Sequence, residues 1–283
     1  MEQFKISKFG GSPFPGAIAW RMNIILSSFF KISTIFSSAK LVFSNKNRKK
    51  INIILKYFIM NLNFQKLNQS IIKCGKCPRL VKFRKKISVE KRKQYKDETY
   101  WGKPITGFGD TKGKILFVGL APAAHGGTRT GRVFTGDKSS DFLYKCLHGV
   151  NISNQSNSDN INDGLKLKDA YITTALKCVP PGDKPNRDEL VNCFQFFNNE
   201  IDNLKNLKTI VALGKIAFDS CVLFFKQNYS FNEKINFSHG KIYLLPKKIK
   251  LVACYHPSPR NVNTGRINEN KMKNLFKKVL RLN

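Results

Sequence analysis

Four short, uninterrupted apolar runs separated by amphipathic stretches set the tightest limit on what this chain can fold into. They occupy residues 115–118, 170–173, 209–213 and 250–254, each bounded by Gly, Pro or charge. Runs of this length without polar alternation suit strands that are buried on both faces. Helical spacing fills the intervals at 139–147, 187–204 and 215–225, and residues 268–282 close the chain in the same way. Strands that alternate with helices predict a three-layer α/β/α fold around a central, mostly parallel, four-stranded sheet. The run 241–245 predicts a further edge strand or hairpin. Residues 151–164 (NISNQSNSDNINDG) are polar, low in complexity and predicted to be a loop.

The first 60 residues mix Ser, Asn, Lys, Ile and Phe without clean periodicity, so they read as an appended N-terminal segment, disordered or untranslated. Order begins after Met60, and residues 61–283 form the predicted domain. A start of translation at Met60 would leave the preceding residues out of the protein. The longest apolar stretch, 18–43, is broken by Arg21, Lys31 and Lys40, too often for a transmembrane helix. A short run at 22–30 lacks a convincing cleavage site. The expectation is a cytoplasmic chain with no membrane partner.

Lys and Arg number 50 against 18 Asp and Glu, a formal charge of +32. Such an excess suits a protein that must approach a polyanion, and it nominates nucleic acid as partner without naming a reaction. Between Lys73 and Lys96, eleven basic residues face a single acid, Glu90. That stretch reads equally as a phosphate track or as a solvated helix face.

The seven cysteines are an odd number, which fits ligands and buried thiols better than a disulfide framework. Cys74 and Cys77 form a CxxC, while Cys178 follows a predicted strand and Cys193 lies on the next predicted helix. Four thiolates can hold zinc or an iron–sulfur cluster. Cys146, Cys221 and Cys254 sit in apolar patterns and read as core.

In sheets of the predicted kind, reactive loops leave the carboxyl ends of the strands. Two such loops have unusual sequences here. The first is GLAPAAHGGTRTGRVFTGD, from Gly119 to Asp137, rich in backbone amides suited to a base edge or phosphate. The second opens with His256, held stiffly by Pro257, Ser258 and Pro259, and runs HPSPRNVNTGR to Arg266.

These two motifs, with KCVPPGDKP from Lys177 to Pro185, resemble the uracil-DNA glycosylase superfamily, specifically its iron–sulfur branch called type 5. The resemblance covers about residues 61–283. It implies a uracil-DNA glycosylase-like fold and a base-excision repair enzyme that hydrolyses the N-glycosidic bond of uracil in DNA after flipping the base into a pocket. It implies a 4Fe-4S cluster on Cys74, Cys77, Cys178 and Cys193. Phe134 would stack on the extruded base, with Gly119, Ala121, Ala123 and Asn261 beside the base or the DNA. Pro257, Ser258 and Pro259 would press on the flanking phosphates, and Arg260 would help fill the vacated stack. His256 would donate to the base carbonyl that gathers charge.

Leu120 and Ala121 stand where other branches supply a water-orienting group, so the resemblance assigns that work, or stabilisation of the cationic sugar, to Asp137. The competing reading makes Asp137 the N-cap of a helix opening at Lys138. Thr174 stands where the type-4 branch has an asparagine that reads uracil, which implies a broader range including hypoxanthine and xanthine. A monomer acting on DNA with deaminated bases is the expected assembly. A non-catalytic nucleic-acid-binding protein with a zinc or iron–sulfur knuckle is the alternative from another class.

Overall fold

The computed structural model describes residues 63–283; the expectations for residues 1–60 lie outside the described residues. In chain order the elements are α1 (63–72), α2 (Pro78–Glu90), β1 (Phe108–Gly109), β2 (Ile115–Gly119), α3 (Gly127–Thr130), α4 (Lys138–His148) and β3 (Ala170–Thr174). They continue with α5 (Arg187–Asn203), β4 (Thr209–Leu213), α6 (Lys215–Tyr229), β5 (Ile242–Leu245), β6 (Ile249–Cys254), α7 (Pro259–Asn263) and α8 (Glu269–Arg281).

The four expected strands form the parallel centre, in the order β3-β2-β4-β6. The sheet is nevertheless six-stranded, because an antiparallel strand closes each edge: β1 beside β3 and β5 beside β6. The run at 241–245 thus supplies an edge strand, turned back by the short 3-10 helix Pro246–Lys248. β1 escapes sequence reading because two residues carry no periodicity. Phe108 pairs with Ile172 and Gly109 with Tyr171, and Gly109 takes a φ of +120°.

Successive side chains of a strand point to opposite faces, so a strand with helices on both sides must be apolar at every position. Phe117, Ile172, Val211 and Val252 face α4 and α8, packing with Leu143, Leu147 and Phe276. Their neighbours Leu116, Val118, Ile210 and Leu251 pack with Phe197, Phe218, Phe224 and Phe225 of α5 and α6. Both layers are fully buried, which is the three-layer arrangement the alternation predicted.

The chain leaves β2 for β3 on one side and returns to β4 on the other. Strand order therefore reverses beside β2, and the loops at the carboxyl ends there diverge to leave a crevice. A buried ion pair secures this end of the sheet. Lys177 Nζ donates to Thr173 Oγ1 (2.6 Å), to the Thr174 carbonyl (2.8 Å) and to Glu200 of α5. The Lys177 and Glu200 side chains are 2% and 0% exposed, and Gly107 N donates to the second Glu200 oxygen. Removing either partner would strand a buried charge, so the pair fixes α5 against β3 and the residues leading into β1.

Candidate active site

β2 ends at Gly119 because the next layer needs the space. A Cβ there would lie 2.7 Å from the Phe134 ring. Phe134 is held with φ of +47°, a conformation rare for a bulky residue, and its ring lies 6.0 Å from that of His256 at a tilt of 32°. His256 arrives from the end of β6 beside Gly214, which follows β4 and holds φ at +102°, a conformation suited to glycine.

A cavity of about 300 Å³ opens between these loops. Leu120, Ala121, Pro122, Ala123 and Phe134 give it apolar walls; Asp137, Ser139, Asp183 and His256 supply polar groups; Ser258 and Pro259 complete the lining. A wider groove of about 1030 Å³ adjoins it, sharing Ala123, Asp137 and Asp183. Arg129 braces the partition. It donates to the His125 and Gly136 carbonyls (2.8 and 2.9 Å) and to Glu98, and stacks 3.9 Å over Tyr95.

Asp137 caps α4, as the competing reading expected. Its Oδ1 accepts from Ser139 N (2.8 Å) and Ser140 N (3.0 Å), and Ser140 Oγ accepts from Asp137 N in return. The capping occupies one carboxylate oxygen only. Oδ2 lies over Gly126, where a Cβ would come within 2.0 Å of it, so a glycine is required there. The cap and the cavity are thus served by the same side chain. Burial pushes the Asp137 pKa above its ordinary value, with the two backbone bonds opposing. Burial pushes His256 down to about 4, so its imidazole is neutral near pH 7.

The remaining nominated residues divide by position. Asn261 turns its amide inward, donating from Nδ2 to the His256 carbonyl at 2.9 Å, so it braces the second loop and does not line the cavity. Ser258 caps α7 by accepting from Asn261 N, Pro257 is buried, and Arg260 is exposed. Thr174 is buried at the end of β3, its methyl 3.4 Å from where a Gly119 Cβ would stand. Asp183 was not foreseen. It reaches the cavity through a left-handed turn, with φ of +59° at Gly182 and +57° at Asp183. The only sequence signal was its place in the KCVPPGDKP segment.

Cys74, Cys77, Cys178 and Cys193 line one small pocket, although 119 positions separate the first from the last. Leu80, Val81, Leu176 and Phe196 wall it. Two donors point at the sulfurs: Lys177 N to Cys193 Sγ (3.2 Å) and Asn192 Nδ2 to Cys77 Sγ (3.8 Å). All four are free thiols, and among the described residues no three His, Cys, Asp or Glu form a single-ion site. Burial pushes Cys178 up to about 12 and Cys193 up to about 11, so only a bound cation would make them thiolates near pH 7. Cys146, Cys221 and Cys254 are buried elsewhere, as expected of core thiols.

Both Gly- and Pro-rich loops meet at the carboxyl end of a doubly covered parallel sheet, and the chain belongs to the Uracil DNA glycosylase superfamily, whose family model matches residues 106–281. Within it, the type-5 branch is the one it joins. It is 39% identical over 217 residues to the type-5 uracil-DNA glycosylase of Mycobacterium leprae, covering 76% of this chain and 94% of that protein. It is 41% identical over 199 residues to that of Thermus thermophilus, covering 70% and 89%. The type-4 uracil-DNA glycosylase of Archaeoglobus fulgidus is 28% identical over 158 residues, covering 54% and 70%. The chain is therefore an enzyme, a uracil-DNA glycosylase of base-excision repair whose partner is DNA, and not a non-catalytic binding module. No helix among the described residues is long and apolar enough to cross a membrane.

Proposed function

We propose that residues 61–283 excise uracil and other deaminated bases, hypoxanthine and xanthine among them, as a monomeric cytoplasmic enzyme in which His256 and Asp137 carry the chemistry. One observation supports this above others: Phe134 and Asp137 of the first loop and His256 of the second line a single largely apolar cavity at the strand ends. A base flipped into it would stack on Phe134 and meet the neutral His256, whose N–H donates to the carbonyl that gains charge as the glycosidic bond breaks. The bond's electrons leave with the base, water adds to the sugar carbon, and the water's proton is released. Asp137 faces this event with a carboxylate whose cap uses one oxygen; the other would orient the water or offset the charge on the sugar.

Ala121 and Ala123 place first-loop backbone beside the base, Gly119 seats Phe134, and Asn261 holds the His256 backbone. Ser258, Pro259 and Arg260 would meet the flanking DNA, with the buried Pro257 stiffening the loop behind them. Thr174 supports the broader substrate range, since at that place a buried hydroxyl stands instead of an amide able to read uracil's edge.

A 4Fe-4S cluster suits the four-thiol pocket, whose candidate donors are all sulfur and whose walls are apolar. Cys74, Cys77, Cys178 and Cys193 would hold it. The group would pin the 74–77 turn to the loop after β3 and to α5, a structural service near the DNA face.

The decisive test is Asp137→Asn on a uracil-containing oligonucleotide. The amide keeps a cap-competent oxygen and removes the charge, so a large fall in single-turnover cleavage with unchanged melting temperature is expected. Wild-type rates would reduce Asp137 to a cap. The same assay with hypoxanthine and xanthine in place of uracil measures the range. DNA affinity should also fall steeply with salt, and charge reversal at Lys85 and Lys86 of α2 should lower that slope. An unchanged slope would return α2 to a solvated face.

A further inference from the structure

The polar segment 151–164 stands apart from every role assigned so far, yet it is pinned to the first reaction loop by a buried network. Asp163 accepts two bonds from the Arg132 guanidinium, Nη1 to Oδ1 at 2.8 Å and Nη2 to Oδ2 at 2.6 Å, with side chains 7% and 4% exposed. The same carboxylate accepts from Asp159 N (2.9 Å), Asn160 N (3.4 Å) and Leu165 N (3.0 Å), folding the segment about itself. Ser158, fully buried, accepts from Arg132 Nη2 (2.9 Å), shares a hydrogen bond with Thr135 Oγ1 (2.8 Å), and takes Gly136 N on its carbonyl (2.7 Å). Arg132 Nε also donates to Thr135 Oγ1 at 2.9 Å, and its guanidinium lies 4.9 Å from the Phe108 ring centroid.

The residues so gripped, 132 to 136, bracket Phe134 and end directly before Asp137. Phe134 and Gly136 both hold positive φ, a backbone path that a free loop would abandon. Bidentate pairing to a planar guanidinium fixes orientation as well as distance. The Arg132 bonds, with the backbone bonds from Leu165 and Asp159, outweigh burial and hold the Asp163 pKa at about 2, so the clamp keeps its charge at any ordinary working pH.

We infer that Asp163 and Ser158 are positioning residues for base excision: the 151–164 segment clamps residues 132–136 so that Phe134 and Asp137 stand in their working geometry before DNA binds. The inference rests on the roles proposed above for Phe134 and Asp137. Neither Asp163 nor Ser158 lines the base cavity, so their effect must pass through the loop they hold.

The test is single-turnover uracil excision by Ser158→Ala and Asp163→Asn, alone and combined with Phe134→Ala or Asp137→Asn. Ser158→Ala keeps the backbone bond to Gly136 and is the milder change, so it carries the test if Asp163→Asn does not fold. The expected result is a rate lowered about tenfold or more, in line with the sensitivity of catalysis to small misplacement. Affinity for an oligonucleotide with a non-cleavable abasic analogue and the melting temperature of Ser158→Ala should stay at wild-type values. The loss should shrink in the Phe134→Ala or Asp137→Asn background, because residues acting as one unit are not additive. Wild-type rates in folded Ser158→Ala, or losses that multiply fully in both backgrounds, would overturn the clamp. Inactive wild-type protein would instead defeat the parent reading and the clamp with it, while inert Asp137→Asn alone leaves Phe134 as the arm on which the clamp is judged.

Discussion

His256→Ala is expected to lower single-turnover excision of uracil by about a hundred- to thousandfold, the loss typical of removing one preorganised donor to a developing anion. DNA binding should be nearly intact, because the side chain sits in the base cavity and not on the exposed rim. Burial sets the imidazole pKa at about 4, against an ordinary 6.5, so in the proposed role the ring would donate in its neutral form. The rate should accordingly show no limb near pH 6.5. A rate that rises with protonation through that range would mean that imidazolium is the working form, contrary to the burial argument. The stability sign follows from the same shift. A histidine whose folded pKa is depressed contributes stability that is complete above about pH 6.5 and is lost as pH falls towards 4. Melting temperature followed over that interval should fall less steeply in His256→Ala than in the wild type.

Cys178→Ala or Cys193→Ala should cost bound iron and most of the folded yield, since cluster binding contributes directly to folding when no site preexists in the unfolded chain. The pocket explains why the loss spreads. It joins the turn before α2, the loop after β3 and helix α5, pieces that otherwise meet through a small apolar cluster around Leu80, Leu176 and Cys193 and through Arg79 of α2, which pairs with Glu189 of α5 and donates to the Lys184 carbonyl. The loop after β3 also carries Asp183 to the base cavity, so cluster loss should disturb the site from that side. Cys221→Ala is the control. Its thiol is buried in α6 against the sheet, away from the four, and its removal should leave iron content unchanged. Iron and visible absorbance measured on anaerobically purified protein decide the matter. Full occupancy in Cys193→Ala would remove it from the ligand set.

The parallel centre was legible in the sequence because burial on both faces leaves no polar position in a strand. The runs at 115–118 and 209–213 show this in four or five residues. The helices were legible from their spacing, and Asp137 as a cap from its place before Lys138. The two loop motifs also stood out, since Gly, Pro and His at strand ends have few structural uses in such density.

Three things only the tertiary structure decided. β1 exists because β3 offers an open edge to two residues with no pattern of their own. The Lys177–Glu200 pair and the Asp163–Arg132 clamp join charges 23 and 31 positions apart, and in a chain of 50 basic residues nothing local marks which charge will be buried. The directions of Asp183 and Asn261 were set in a similar way: one backbone turn brings the first to the cavity, and the His256 carbonyl holds the amide of the second. Periodicity and turn chemistry are properties of neighbours along the chain and can be read there. Pairing between distant charges, and the direction in which a loop presents a side chain, arise only when the sheet brings its strand ends together.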